Sequence, residues 1–222
     1  MSAVSPERKK RLRRVDVSGS KYRNIKRLLD ILGALAALIV LALPLGILAL
    51  IVFFDDPGAV IFAQDRVGMN GKIFRLYKLR TMKKDAPAYL STEEMENPGQ
   101  YVTKAGRTLR KLSLDEIPQL VNVLKGDMSL VGPRPLIPQE KEIHDLRLAY
   151  GVYTTRPGIT GLAQINGRDQ VSAEEKLRMD VAYLRRYSFM ADLSILLMTI
   201  PKVIDSEGVR LDDWEPETGD SE

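Results

Sequence analysis

The sequence predicts an α+β protein: a mostly helical single domain with a re-entrant membrane helix hairpin, a short β-hairpin and interfacial amphipathic helices. Three observations predict it. An uncharged run of 24 residues, Ile31–Phe54, is interrupted by Pro44. Two strand-like segments flank Asn70-Gly71. Apolar residues then recur at helical spacing through much of the remainder. The expected organisation is a basic head at 1–20, a re-entrant helix–break–helix at 21–55, a cytoplasmic domain at 56–204 and an acidic tail at 205–222.

Composition narrows the chemistry. With no cysteine and one histidine in 222 residues, disulfide scaffolds, thiolate catalysis and thiolate or His-cluster zinc sites are excluded. The Gly-rich nucleotide loops are absent as well. The net charge of +4 hides an asymmetry, because the tail from Asp205 onward carries −7 and the rest carries +11. A basic body of that kind meets an anionic surface, a phosphorylated substrate or nucleic acid. The apolar run, and the lack of an aromatic–basic stacking pattern, argue against nucleic acid.

The elements follow in order. The head holds most of the ten Lys and Arg that residues 1–27 set against two acids, so it belongs on the cytoplasmic side and suits anionic phospholipid. The apolar run exceeds the core of a signal peptide and reaches the ~20 residues of a spanning helix. Yet the segment after it, from Arg66 to Lys84, is also basic, so both flanks read as inside. Pro44 removes a helix hydrogen bond, and Gly46 follows. A helix pair that enters and leaves by one face satisfies all of this; an ordinary spanning helix with a tolerated proline is the alternative. Asp55-Asp56-Pro57-Gly58 supplies turn chemistry. Val60–Gln64 and Lys72–Thr81 read as strands joined at Asn70-Gly71, a strong hairpin signal. Residues 83–101 read as a mobile loop, and a helical pattern resumes at Gly106–Lys111. Ile117, Leu120, Val121 and Leu124 give a short helix closed by Gly126. Gly132-Pro133-Arg134-Pro135 and Arg156-Pro157-Gly158-Ile159-Thr160-Gly161 read as rigid loops. Ser172-x-x-Glu175 is a capping box opening a helix to about Tyr187. Phe189–Ile204, too interrupted to span, reads as an interfacial helix, with a buried core helix as the alternative.

One constellation carries chemistry. Asp115-Glu116 stands at a helix start fixed by Pro118, where the positive end of the dipole favours ionised carboxylates. Alone, such a pair is an ordinary helix cap. Its company is Arg107, Arg110 and Lys111 upstream, Arg134 downstream, and Arg156 and Arg168 in two further loops. Carboxylates hold Mg²⁺ and guanidinium forks hold phosphate, so the set suits a magnesium–diphosphate substrate. His144 is read as a surface or partly buried histidine without a chemical role.

The run from Arg110 through Asp115-Glu116-Ile-Pro118-Gln119 and Lys125-Gly126-Asp127 to Gly132-Pro133-Arg134-Pro135 resembles the signature of the bacterial sugar transferase family. These are the small monotopic phosphoglycosyl transferases of polyprenyl-phosphate pathways. Lys26-Arg27-x-x-Asp30, Gln64-x-Arg66-x-Gly68, Phe74-Arg-x-Tyr77-Lys78-x-Arg80-Thr81-Met82, Arg156-Pro157-Gly158 and Gln164-Ile-Asn166-Gly167-Arg168 extend the resemblance over about residues 24–205.

The resemblance implies transfer of a phosphosugar from a UDP-sugar to polyprenyl (undecaprenyl) phosphate, with release of UMP. This would be the first membrane step in assembling an exopolysaccharide, O-antigen or glycoprotein glycan, on the cytoplasmic face of the bacterial inner membrane. It makes Asp115 the nucleophile of a covalent aspartyl phosphosugar intermediate, with Glu116 beside it and Mg²⁺ held by the two. Arg110 and Arg134 would bind phosphate, and Arg156, Gln164, Asn166, Arg168 and Lys78 nucleotide or sugar. Asp180 is a further candidate. Where the family often has a serine before the helix-break proline, this chain has Leu43. The identity of the sugar is left open, as is a homodimer among the oligomeric states. A non-catalytic membrane scaffold of a polysaccharide assembly system is the competing reading.

Overall fold

The computed structural model describes residues 13–86, 98–166 and 172–205. Most of the expected basic head, the middle of the 83–101 loop, Arg168 and the acidic tail beyond Asp205 lie outside those residues.

Helix α1 (Tyr22–Asp55) occupies 34 residues, about 50 Å at 1.5 Å per residue. Its backbone is helical through Pro44, so the expected interruption is not seen as a gap in the helix. The proline forfeits the bond that its missing N–H would give the Val40 carbonyl. On either side the Leu, Ala and Ile turns propagate without it. One stripe of α1 meets the domain on both sides of the proline. Ala34, Ala37, Leu38 and Leu41 pack against Leu76, Leu120, Val123 and Met128. Leu45, Leu48 and Val52 pack against Leu79 and Leu109. The opposite face leaves Leu32, Ile39, Val40, Leu43, Ile47 and Leu50 exposed. In water so long an apolar face would be costly.

Strands β1 (Ile61–Val67) and β2 (Ile73–Leu79) pair antiparallel from Ile61↔Leu79 to Val67↔Ile73. The connection contains Asn70 at φ 58° and Gly71 at φ 73°, the left-handed conformations that an Asn-Gly pair adopts at least cost. β1 runs three residues beyond the expected Gln64, which brings Arg66 into the sheet. Helix α2 (Lys104–Lys111) starts at Thr103, whose side chain caps the Gly106 amide. A 3₁₀ turn at Leu114–Glu116 follows, then α3 (Gln119–Lys125), closed by left-handed Gly126.

Parallel strands β3 (Ser129–Val131) and β4 (Gly158–Thr160), and helix α4 (Lys141–Tyr150) between them, were not foreseen. One-turn α5 (Leu162–Ile165) precedes α6 (Ala173–Arg185), which begins with the expected Ser172–Glu175 capping box. α7 (Phe189–Asp205) ends the described chain. It belongs partly to both expectations. Ile195 is buried in the core, whereas Met190, Leu197, Met198 and Ile200 are exposed. Buried Asp192 ties its start to α1, receiving the Lys26 ammonium and the Tyr22 and Tyr183 hydroxyls. The fold is therefore mixed, mostly helical, with two small sheets and one long apolar helix.

Candidate active site

The carboxylate pair sits in the 3₁₀ turn between α2 and α3. Ser113 turns the chain there with φ 54°, a left-handed conformation that a non-glycine residue adopts only under constraint. The turn carries Asp115 inward, leaving it 6% exposed, and Glu116 less so. Lys78 reaches across from β2, its Nζ 3.0 Å from Glu116 Oε1 and 3.8 Å from Asp115 Oδ2. Lys78 is thus a partner of both carboxylates. Burial pushes the Asp115 carboxyl above its ordinary 3.8; Lys78 opposes this, neighbouring Glu116 adds to it, and Arg110 opposes it. The result is a buried carboxylate that cations keep ionisable.

The expected phosphate binders are close by. Arg134 Nη1 lies 3.9 Å from Glu116 Oε1. Arg110 acts on Asp115 electrostatically while its Nε donates to Thr81 Oγ1 at 2.8 Å. Sequence reasoning missed a third, Arg66. Its Nη2 donates to Gln64 Oε1 at 2.6 Å and its Nη1 to the Pro135 carbonyl at 3.4 Å. Its Nε is buried with no acceptor among the described residues. Burial first, and then the Arg134 charge, lower its pKa to about 10. Two guanidinium groups held together, one with an idle donor, make a place for an anion. Alternation in the hairpin could have found Arg66: the register puts it on the face that also carries Lys78.

Arg134 is held from behind. Arg147 of α4, itself 3% exposed, donates to the Arg134 carbonyl at 2.7 Å and to Asp180 Oδ2 at 2.7 Å. Asp180, a candidate from sequence, therefore works two residues removed from the carboxylates. The loop itself is pressed onto the β4 strand. A Cβ on Gly132 would stand 2.5 Å from the Arg156 carbonyl, and one on Gly158 would collide with the Gly132 amide. Gly158→Ala is accordingly expected to push the Arg134 loop outward and reduce turnover roughly 10²-fold. Steady-state kinetics on the purified variant, alongside a thermal melt to correct for lost fold, measures this.

The remaining candidates are not gathered beside Asp115. Arg156 lies at the far end of α3, its Nε donating to the Gly126 carbonyl at 2.8 Å. Asn166 donates to the Leu162 carbonyl and closes α5, on the surface. The Gln164 amide is buried, with no partner among the described residues. Arg168 lies outside them. As to metal, no group of three or more His, Cys, Asp or Glu is assembled among the described residues. Two adjacent carboxylates nevertheless fit Mg²⁺ carried in with a diphosphate, since that ion takes one or two protein carboxylates and fills its shell with phosphate and water.

Comparisons with known proteins show the family. A family model for bacterial sugar transferases matches residues 21–206. The sugar transferase EpsL of Bacillus subtilis is 43% identical over 84% of this chain and 90% of its own length. The exopolysaccharide production protein ExoY of Rhizobium meliloti is 40% identical over 82% of this chain and 87% of its own. The UDP-glucose:undecaprenyl-phosphate glucose-1-phosphate transferase of Caulobacter vibrioides is 40% identical over 82% and 70%. With a family match over residues 21–206 and relatives 40–43% identical over most of the chain, the protein is a transferase belonging to the bacterial sugar transferase family.

Proposed function

We propose that the protein transfers a phosphosugar from a UDP-sugar to polyprenyl phosphate through an adduct on Asp115. The observation that carries this reading is the Asp115 environment: a carboxylate withdrawn from water, with Lys78 and Arg110 acting on it and Arg134 and Arg66 acting on its neighbour Glu116. An ionised Asp115 oxygen attacks the β-phosphorus of the donor without needing a base. The bond from that phosphorus to the bridging oxygen breaks, and UMP leaves with the electron pair. An oxygen of the acceptor phosphate then attacks the same phosphorus. The bond to Asp115 breaks, and the carboxylate is regenerated.

Both steps bring anions together, so repulsion is the main barrier. The arginines lower it by accepting the charge of the diphosphate oxygens. Lys78 favours the ionised form of Asp115 against the pull of its dry setting. Mg²⁺, when bound by Asp115 and Glu116, would supply further charge neutralisation at the phosphates. Turnover of a donor by the purified protein would also dispose of the scaffold reading.

The membrane disposition belongs to the same proposal. Both halves of α1 pack on one domain, and both flanking segments are basic. On this reading the exposed apolar face of α1 is embedded in the cytoplasmic leaflet, with both ends of the helix on the same side. That seats the carboxylates near the lipid phosphate plane, where a soluble donor and a lipid acceptor meet.

Two measurements test the reading. Incubation with a donor radiolabelled in the sugar should leave label on Asp115, and label on another residue, or none, would defeat it. Lys78→Met should move the acid limb of UMP release to higher pH. The sign follows from the charges: Lys78 lowers the Asp115 pKa, so its loss raises it, and more of the nucleophile is protonated at a given pH.

A further inference from the structure

A second cationic site lies at the opposite end of α3 from the carboxylates. α3 and its closing Gly126 separate the two by about 12 Å at helical rise. Arg23, Lys26 and Arg27 from the first turns of α1, with Arg156 from the loop before β4, line a shallow, solvent-open cleft. Tyr187 and Met69 complete its walls.

The charges in this cleft are unequal. Its one acid, Asp30, is taken up by Lys26 at 3.8 Å, by the Ser129 hydroxyl and by the Leu130 amide. Lys26 is also held by Asp192. The three guanidinium groups have no carboxylate partner among the described residues. Arg27 donates to the Val123 and Leu124 carbonyls at 2.6 and 3.0 Å, Arg156 to the Gly126 carbonyl, and Arg23 to the Ser18 carbonyl and Met69 Sδ. Carbonyls at the end of a short helix offset at most about half a charge. Three full charges converge there. Their mutual repulsion is felt: after burial, Arg27 and Arg23 are the next causes that lower the Arg156 pKa. A site whose four cations outnumber its one lining acid, itself taken up by Lys26, keeps positive charge for an anion from outside.

Its depth says which kind. Arg23, Lys26 and Arg27 immediately precede the uncharged run that begins at Ile31. On the far wall Tyr187 stacks edge-on against Tyr22, at 5.4 Å between centroids, just before apolar α7. Arg, Lys and Tyr at the mouth of an apolar surface mark the headgroup layer. We propose that this cleft binds the phosphate of a membrane lipid, at a site distinct from the carboxylate centre. Two sources carry that chemistry, an anionic glycerophospholipid and a polyprenyl phosphate. Occupancy would fix the start of α1 against α3 and β4, and so set the height of the domain above the bilayer.

The test uses the full chain in neutral detergent, titrated with short-chain phosphatidylglycerol and read by native mass spectrometry. Arg23→Gln and Arg156→Gln should each weaken binding about tenfold, the scale of one charge-assisted contact. Phosphatidylcholine of the same chain length serves as the net-neutral control. Competition by polyprenyl phosphate would make that lipid the occupant, and its absence would make bulk phospholipid the occupant; either supports the site. The proposal fails if neither substitution changes lipid binding. It also fails if UMP displaces the lipid and Arg156→Gln lowers affinity for UMP, which would make the cleft a nucleotide subsite. Labelling of Asp115 by donor is read separately, so the chemistry can stand while this site falls.

Discussion

Asp115→Asn is expected to abolish UMP release, by 10³-fold or more on the scale of other nucleophile deletions, and at the same time to make the protein more stable. The two effects share one cause. Asp115 is buried, and burial is the largest influence on its titration, raising its pKa above 3.8. A carboxyl whose folded pKa exceeds its unfolded value leaves the native state binding more protons. Stability then falls as pH rises from the unfolded value through the folded one, and stays reduced above it. At pH 7 wild type therefore bears the cost of a dry carboxylate that asparagine does not. The amide has nearly the same shape, and Lys78 keeps its 3.0 Å contact with Glu116. A gain on the order of 1 kcal/mol, about 2–4 °C in Tm, should appear in melts run with chelator at pH 7.5. The gain should shrink toward pH 4, as protonation of wild-type Asp115 removes the same buried charge. An inactive variant that melts lower than wild type at both pH values would show that Asp115 stabilises the fold, contrary to the strain argued here.

How much of this was legible in the sequence depends on the element. The carboxylate turn and α3 were legible because Pro118 and Gly126 bracket a short apolar repeat. The capping box at Ser172 and the Asn70-Gly71 hairpin were legible for the same reason: local chemistry dictates local backbone. Helix α4 was not, because its core-facing residues include Arg147, a buried cation that breaks the apolar period. Strands β3 and β4 are three residues each, too short for alternation to register, and only the tertiary fold brings Ser129 to Gly158.

At the site, Asp115, Glu116, Arg110 and Arg134 were legible, since they cluster along the chain. Arg66 and Lys78 depend on strand register, and Arg156 on which end of α3 its loop reaches. Hairpin alternation gives the first, but the second is set only by the tertiary fold. Pro44 shows the converse: a strong local rule, and a helix that accommodates the exception.

The largest structural effect should come from Arg147→Met. Arg147 and Asp180 are 3% and 2% exposed and lie 2.7 Å apart. Such a pair gains little over apolar neighbours of the same volume, but removing one partner strands the other charge, typically at 3–5 kcal/mol. A fall of about 10 °C in Tm is expected. Burial already raises the Asp180 pKa, and Arg147 is the main force opposing it. Without Arg147 the folded value climbs further, so the loss should be greatest at high pH and should shrink as pH falls and protonation relieves the charge. The double variant Arg147→Met with Asp180→Leu removes both charges and should recover most of the melting temperature. It should not recover turnover, which is expected to stay roughly 10²-fold low, because the Arg134 carbonyl has lost its donor and the guanidinium beside Glu116 is no longer fixed. Recovery of stability without activity separates positioning from folding. Recovery of both would reduce the buried pair to a packing element and leave Arg134 positioned by its glycine-locked loop alone.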